Sequence, residues 1–414
     1  MTDTQVAIVG GGAAGIAAAH YLHHANIFYK LLEARSRLGG RAWTITSADA
    51  GFPIDLGCGW LHSADRNPWT HVATASGFTL DKTPPPWMRD SSPVGFPLAQ
   101  QKEFRRALDD YYARLDKIAE NPQDAPASAA LQPSNPWNGL IGAAGTYITG
   151  AELDKVSAID LHRYADTDIN WRVVEGYGDL IASLSSKLDA MLNCVVIRLD
   201  HRGKRISLET TLGTLDCDQA IVTIPTSLLA QETIEFLPAL PGKMDAAAGL
   251  PLGLNSKLFL SLTHAEEFEK DSRLFGRIDM SATAAYHLRP FGRPQIEAYF
   301  GGPLAHELEA GGEAAFFDYA KRELVDLLGN TFASRIQPVA LHRWGADPYS
   351  QGAYSYAVPG RADSRSTLAA PVDDRIHFAG EACSKDHFST AHGAYLTGVA
   401  AATRIAALLL GTHP

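Results

Sequence analysis

Cysteine is scarce in this chain. Only Cys58, Cys194, Cys217 and Cys383 occur among 414 residues, and no two form a C-x-x-C pair. That spacing excludes a disulfide framework and a zinc ribbon, and it fits a reducing, cytoplasmic compartment. Basic residues are in the minority, 36 against 46 acidic ones. A formal charge of −10 argues against a nucleic-acid partner, because phosphate-backbone binders concentrate Lys and Arg. The amino-terminal stretch has Asp3 and no early Lys or Arg, so it lacks the basic region of a signal peptide. Long uncharged apolar runs are also missing. The carboxy-terminal "GVAAATRIAALLLG" falls short of the roughly 18 residues of a membrane span and carries Arg404, so it reads as a packed helix and no membrane partner is expected. No internal repeat or low-complexity segment appears. Length suggests two or three domains.

What is present begins at Ala7 with "AIVGGGAAGIAAA". Gly10, Gly12 and Gly15 give G-x-G-x-x-G between a β-branched strand and an alanine-rich helix that includes Ala14. Gly10 permits a tight turn, Gly12 lets a pyrophosphate approach the backbone, and Gly15 allows close helix–strand packing. The helix amino terminus offers free N–H groups to the anion. The plain alternative is a glycine-rich turn without a ligand. The order strand, turn, helix and a second strand, "FYKLLE", ending in Glu33, speaks for a dinucleotide whose ribose meets that acid.

Farther along, "GYGDLIASLSSKLDAML" reads as a helix, and "CVVIRLD", "RISLETTLG" and "QAIVTIP" as strands. Helical spacing of Phe104, Leu108, Tyr111, Leu115 and Ile118 predicts a helix over 101–120, and "NPQDAPASAALQPSNPWNG" reads as loop. "AAFFDYAKRELVDLLG" is an amphipathic helix closed by Gly329, and "AHGAYLTGVAAATRIAALLL" the last helix. Lys257 interrupts an apolar strand-like run, where burial would demand a partner and would by itself pull the ammonium pKa down. His20, His23 and His24 share a helix, but without a third ligand they read as solvated surface. Cys383, His387 and His392 are likewise not assigned to a metal.

After Glu33 the chain continues "LLEARSRLGGRAWT", which resembles the E-x-R-x-x-x-G-G-R-x-x-T extension of FAD-binding two-dinucleotide-fold flavoproteins. Glu33, Arg35, Gly39, Gly40, Arg41 and Thr44 match it. With "DLGCGWLHSADRNPW", "PLGLNSKLFLSL", "HRWGADPYSQGAYSYAVPG" and "HFAGEACSKDHFSTAHGAYLTGVAAA", the sequence resembles the flavin-dependent amine oxidase family over about half of its length; residues 81–172 match loosely. The resemblance implies an α/β fold: a Rossmann-like FAD domain from 1–80, 173–238 and 347–414, and an inserted domain of mixed sheet and helices from 81–172 and 239–346.

The resemblance also implies roles. Gly59 and Trp60 run along the flavin, with His62 facing substrate. Val196 clasps the adenine through its main chain. Lys257 bonds through water to flavin N5. Trp344 and Tyr354 are the substrate-side aromatics. Gly380 and Glu381 meet pyrophosphate and ribityl hydroxyls, and Thr390 and Ala391 lead the last helix toward the flavin. Thr390 stands where monoamine oxidases have a second cage tyrosine. Ala353 replaces the cysteine that tethers their flavin, which implies non-covalent FAD. The expected reaction is oxidation of a primary or secondary amine with O2 as acceptor and H2O2 as product; oligomeric state is left open. Other readings are an amino-acid oxidase, with Arg172, Arg277, Arg289 or Arg293 as carboxylate ligand, a C–C desaturase, or a flavin-binding protein without turnover. A nicotinamide dehydrogenase is disfavoured by the extension after Glu33.

Overall fold

The computed structural model describes residues 3–46 and 51–411. At its centre is a five-stranded parallel sheet in the order Ile376–Phe378, Gln219–Val222, Val6–Val9, Tyr29–Leu32, Ala190–Met191. Its middle strand is buried at every position, as both-face packing requires. Val6 and Ile8 face the first helix, Ala13–His24, and the last helix, Ala391–Leu410. Ala7 and Val9 face a four-stranded sheet built from Gly213–Cys217, Ile206–Thr210, Val196–Asp200 and Glu235–Leu237. Period-two alternation along one short strand thus joins two separate cores.

Two expectations need correction here. The predicted helix over 176–192 stops at Ser183, and Ala190–Met191 instead forms the outer strand of the parallel sheet, with Leu31 N donating to Asp189 O at 3.0 Å. The free edge of Tyr29–Leu32 recruits it, a non-local demand that helical periodicity cannot reveal. The last helix has 20 residues and is long and apolar enough to cross a membrane by composition, contrary to the shorter run read from the sequence. Its inner face packs along the first helix so closely that a Cβ on Gly398 would lie 2.2 Å from Ala14 O.

The second unit is a five-stranded antiparallel sheet, ordered Ser272–Phe275, Ala285–Leu288, Gln295–Gly301, Asn255–Leu262, Ile336–Leu341. One face is apolar. Leu258, Leu260, Ile296, Ala298 and Phe300 pack on Phe316, Ala320 and Leu324 of the helix Glu313–Leu328. The other face turns Lys257, Glu297, Tyr299, His287 and Arg273 toward a large cavity. A helical layer covers that cavity. Leu98–Ala119 presents Phe104, Ala107, Tyr111 and Leu115 as one buried stripe. The stretch read as loop holds a short helical turn, Ala127–Ala130, and leads into an additional helix, Asn138–Thr149.

Candidate active site

The cavity holds about 1410 Å³, above the ~300–1,000 Å³ of an ordinary small-molecule pocket. It runs from the glycine turn at Gly10 and Gly12, past Glu33, Arg41 and Val196, to the polar face of the antiparallel sheet and the start of the last helix at Thr390 and Ala391. This is room for a dinucleotide together with a second small molecule.

The glycine turn is tight. Gly10 adopts φ +105°, and a Cβ on Gly15 would sit 1.9 Å from Gly10 O. A Cβ on Gly12 would meet nothing nearer than Gly40 Cα at 3.9 Å, so backbone lies open toward the cavity. The extension folds back over the turn, with Gly39 N donating to Gly11 O at 2.8 Å. Glu33 is buried and accepts from Gly11 N at 2.6 Å and Arg35 N at 2.8 Å. The Arg35 side chain is committed elsewhere, to Asp347 at 2.5 Å.

Arg41 and Glu381 form a 3.0 Å ion pair on the cavity wall, and Arg41 also donates to Ala353 O at 2.7 Å. Burial would raise the Glu381 carboxyl, but Arg41, the Ser355 hydroxyl at 2.6 Å and Ser389 N at 3.0 Å hold it below the usual range. Gly380, at φ +141°, donates its N–H to Thr397 Oγ1 at 3.0 Å. Thr390 caps the last helix: its hydroxyl accepts from Gly393 N at 2.9 Å and donates to His387 O at 2.7 Å. That hydroxyl is therefore occupied, and what the cavity receives is the helix amino terminus itself.

Lys257 Nζ lies 3.4 Å from Glu297 Oε1, and a Cβ on Gly59 would sit 3.3 Å from that ammonium. Desolvation pulls the ammonium down, yet Glu297 and Asp55 outweigh it and the net shift is upward. The expectation of a depressed lysine is thus overturned by two carboxylates. Asp55 itself is pushed up by burial, against the opposing pull of Lys257 and of its own bonds to Thr44 Oγ1, Tyr177 N and Gly178 N.

Tyr354 anchors an aromatic corner. Its hydroxyl donates to Tyr147 O at 2.6 Å, lies 3.0 Å from the Tyr299 hydroxyl and accepts from Asn255 Nδ2. Burial raises its pKa well above the ordinary phenol value. Trp344 lines the cavity, but its indole N–H is spent on Leu56 O at 3.0 Å and its ring packs edge-on to His342. Trp60 lies edge-on to Trp87 with centroids 4.6 Å apart. His62 is on the cavity wall, its Nδ1 2.6 Å from Asn170 Oδ1, and desolvation lowers its pKa.

The four arginines proposed as carboxylate ligands are all engaged. Arg172 pairs with Asp81 at 2.5 Å and Asp271 at 2.8 Å, and Arg277 with Asp279 at 2.6 Å. Arg289 donates to Phe268 O at 2.7 Å, and Arg293 to Pro53 O and Val174 O at 2.9 Å each. Sequence reasoning missed Glu297, Tyr299, Asn255 and Arg273 on the sheet face. "QIEAYF" carried a signal, since Glu297 and Tyr299 alternate with apolar residues as Lys257 does. His20 and His24 lie side by side on the first helix, their rings tilted at 43°, with His24 Nδ1 2.8 Å from His20 O. Among the described residues no group of three or more His, Cys, Asp or Glu could hold a metal.

A parallel dinucleotide-type sheet, an open glycine turn and a charged, aromatic chamber beyond it define a nucleotide-dependent oxidoreductase of the α/β class. The model of the family described as flavin containing amine oxidoreductase matches residues 13–144 and 136–406. The chain belongs to that family, and its cofactor is FAD. It is 29% identical to Polyamine oxidase 4 of Oryza sativa subsp. japonica, over 96% of this chain and 88% of that one. Identity to Polyamine oxidase 2 of Arabidopsis thaliana is also 29%, over 96% and 87%. Lysine-specific histone demethylase 2 of Homo sapiens is 25% identical over 98% of this chain and 54% of its own length. A solved structure of putrescine oxidase, a variant from a structure-based redesign of its cofactor binding, superposes with TM-score 0.78 at 20% identity, over 98% of this chain and 99% of the other. The open turn at Gly12, the cation at Arg41 and the helix terminus at Thr390 suit the pyrophosphate and ring of that cofactor.

Proposed function

We propose that the protein oxidises a small primary or secondary amine, with FAD held non-covalently and O2 as acceptor. The observation that carries this is the single cavity joining the glycine turn to the Lys257–Tyr299–Tyr354 corner. Bound FAD supplies a two-electron acceptor that takes hydride from the amine α-carbon, leaving an imine for hydrolysis, and that O2 returns to the oxidised state with release of H2O2.

Residues 1–80, 173–238 and 347–414 hold the dinucleotide in this reading, and 81–172 and 239–346 enclose the amine. Gly10, Gly12, Ala14 and Gly15 admit the pyrophosphate, Glu33 the ribose, and main-chain groups of Val196 the adenine. Arg41 neutralises phosphate charge while Glu381 fixes its orientation; their 3.0 Å contact supports this. The helix led by Thr390 and Ala391 favours negative charge on the ring. Ala353, where a tethering cysteine would stand, supports a free cofactor.

On the substrate side, Tyr354 and Trp344 offer ring surface that excludes water and orients the amine. His62 faces it from the cavity wall. Lys257 stays protonated beside Glu297 and holds a proton at Nζ for the oxygen step. The names of several relatives point to polyamines as the first amines to try. The four free cysteines support a cytoplasmic location. The test is a peroxide assay on the flavin-loaded protein across monoamines, diamines, polyamines and amino acids. Amine-dependent peroxide is expected; its absence with every amine, from a fully loaded protein, contradicts the proposal.

A further inference from the structure

Arg273 stands on the outer strand of the antiparallel sheet, on the same face as Lys257. The register runs Arg273↔His287↔Glu297 in one row and Phe275↔Ala285↔Tyr299↔Lys257 in the next. Three strand spacings of about 4.8 Å separate the outer strand from that of Lys257, so the two ends of this face lie about 14 Å apart.

Each of the other cations on the cavity wall has a partner. Arg35 has Asp347, Arg41 has Glu381, Arg105 has Asp90, Lys257 has Glu297, and Arg89 donates to Asp271 O. Arg273 has none: among the described residues its guanidinium makes no side-chain hydrogen bond and no ion pair. It lies instead over the Phe275 ring at 4.1 Å, in a corner also walled by Phe96 and Tyr147. The side chain is half-buried, and its guanidinium faces the cavity with no anion beside it among the described residues. Its planar fork is matched to a carboxylate, and apolar walls strengthen such a pair.

We infer that Arg273 receives the carboxylate of the substrate, so that the site selects an amine carrying a carboxylate several bonds from its nitrogen. This rests on the amine-oxidation reading for the amine end alone. Burial lowers the Arg273 pKa only to about 10, so the group is cationic at neutral pH and repels a second ammonium at that end. An α-amino acid, whose two groups are adjacent, does not span from Arg273 to the Lys257–Tyr354 corner; an ω-amino carboxylate does.

The test uses the flavin-loaded protein and its Arg273→Gln and Arg273→Lys variants. Unreactive straight-chain alkanoates and the matching alcohols are titrated by calorimetry. Flavin reduction is then followed anaerobically with ω-amino carboxylates, α,ω-diamines and alkylamines of equal length. Alkanoates are expected to bind the parent more tightly than alcohols and to lose about 10- to 100-fold in Arg273→Gln, with partial recovery in Arg273→Lys. Amino carboxylates should reduce the flavin at lower concentration than diamines, and the glutamine variant should reverse that preference. Alkanoates binding no better than alcohols, or an unchanged preference in a folded, yellow Arg273→Gln protein, overturns the inference. Reduction by diamines without carboxylate preference sinks the carboxylate site and leaves amine oxidation standing. Alkanoate binding with no reduction by any amine does the reverse.

Discussion

Lys257 and Glu297 meet at 3.4 Å across two adjacent antiparallel strands, on the wall of the cavity rather than in the apolar core beneath it. The pair explains how an ammonium is tolerated in an otherwise buried strand. It also sets the sign of its pH behaviour. Because the folded pKa is raised above the ordinary 10.5, the stability contributed is fully present below that value and lost only as pH climbs past it. Replacing Glu297 with Gln should shift the Lys257 pKa downward and destabilise the fold by about 1–3 kcal/mol, read by denaturant titration.

Lys257→Met removes the proton held at Nζ. Stopped-flow mixing of reduced enzyme with oxygen should show reoxidation slowed about 100-fold, with amine-driven reduction much less affected. Equal loss in both half-reactions would assign Lys257 to amine binding instead.

Arg41→Ala breaks the contact with Glu381 and removes a cation from the cavity wall. FAD affinity, measured by fluorescence as the cofactor rebinds the stripped protein, should fall about 10- to 100-fold. Arg41→Lys should recover part of it, having the charge without the fork.

Much of this was legible locally. The glycine turn, Glu33 and the extension to Thr44 lie close together in sequence, and Gly15 answers Gly10 O within its own turn. Lys257 was legible because one charge interrupts an apolar strand. Its partner was not, because Glu297 arrives 40 positions later through strand pairing. The direction of its pKa was misread for the same reason: burial can be inferred from a run of residues, and an opposing carboxylate cannot. The strand Ala190–Met191 escaped because two residues pair only where a sheet edge awaits them. Arg273 lay in a stretch with no strand assigned, so nothing marked it as facing inward.

Tyr354→Phe deletes a hydroxyl bonded to Tyr147 O, Asn255 and Tyr299. A stability loss of about 1–2 kcal/mol is expected, with the cofactor retained. Tyr354→Ala should in addition slow flavin reduction at least about tenfold; unchanged reduction would take Tyr354 out of the substrate site.

His392 is buried beside His387, with neither ring nitrogen bonded, and burial pulls its pKa down to about 3. The unfolded chain protonates this ring below pH 6.5 while the folded protein does not. Stability should therefore fall as pH drops from 6.5 toward 3, by about 1.4 kcal/mol per unit from this residue. His392→Leu should flatten that slope in urea titrations at pH 6.5, 5.5 and 4.5; an unaltered slope would place the acid sensitivity elsewhere.

The most direct measurement is an anaerobic titration of the purified protein with amines while the visible flavin band is recorded. The account predicts a yellow protein that gives up intact FAD on denaturation and is bleached by at least one amine, with colour returning on admission of air. A colourless protein that added FAD does not restore, or a yellow one that no amine bleaches, would contradict it.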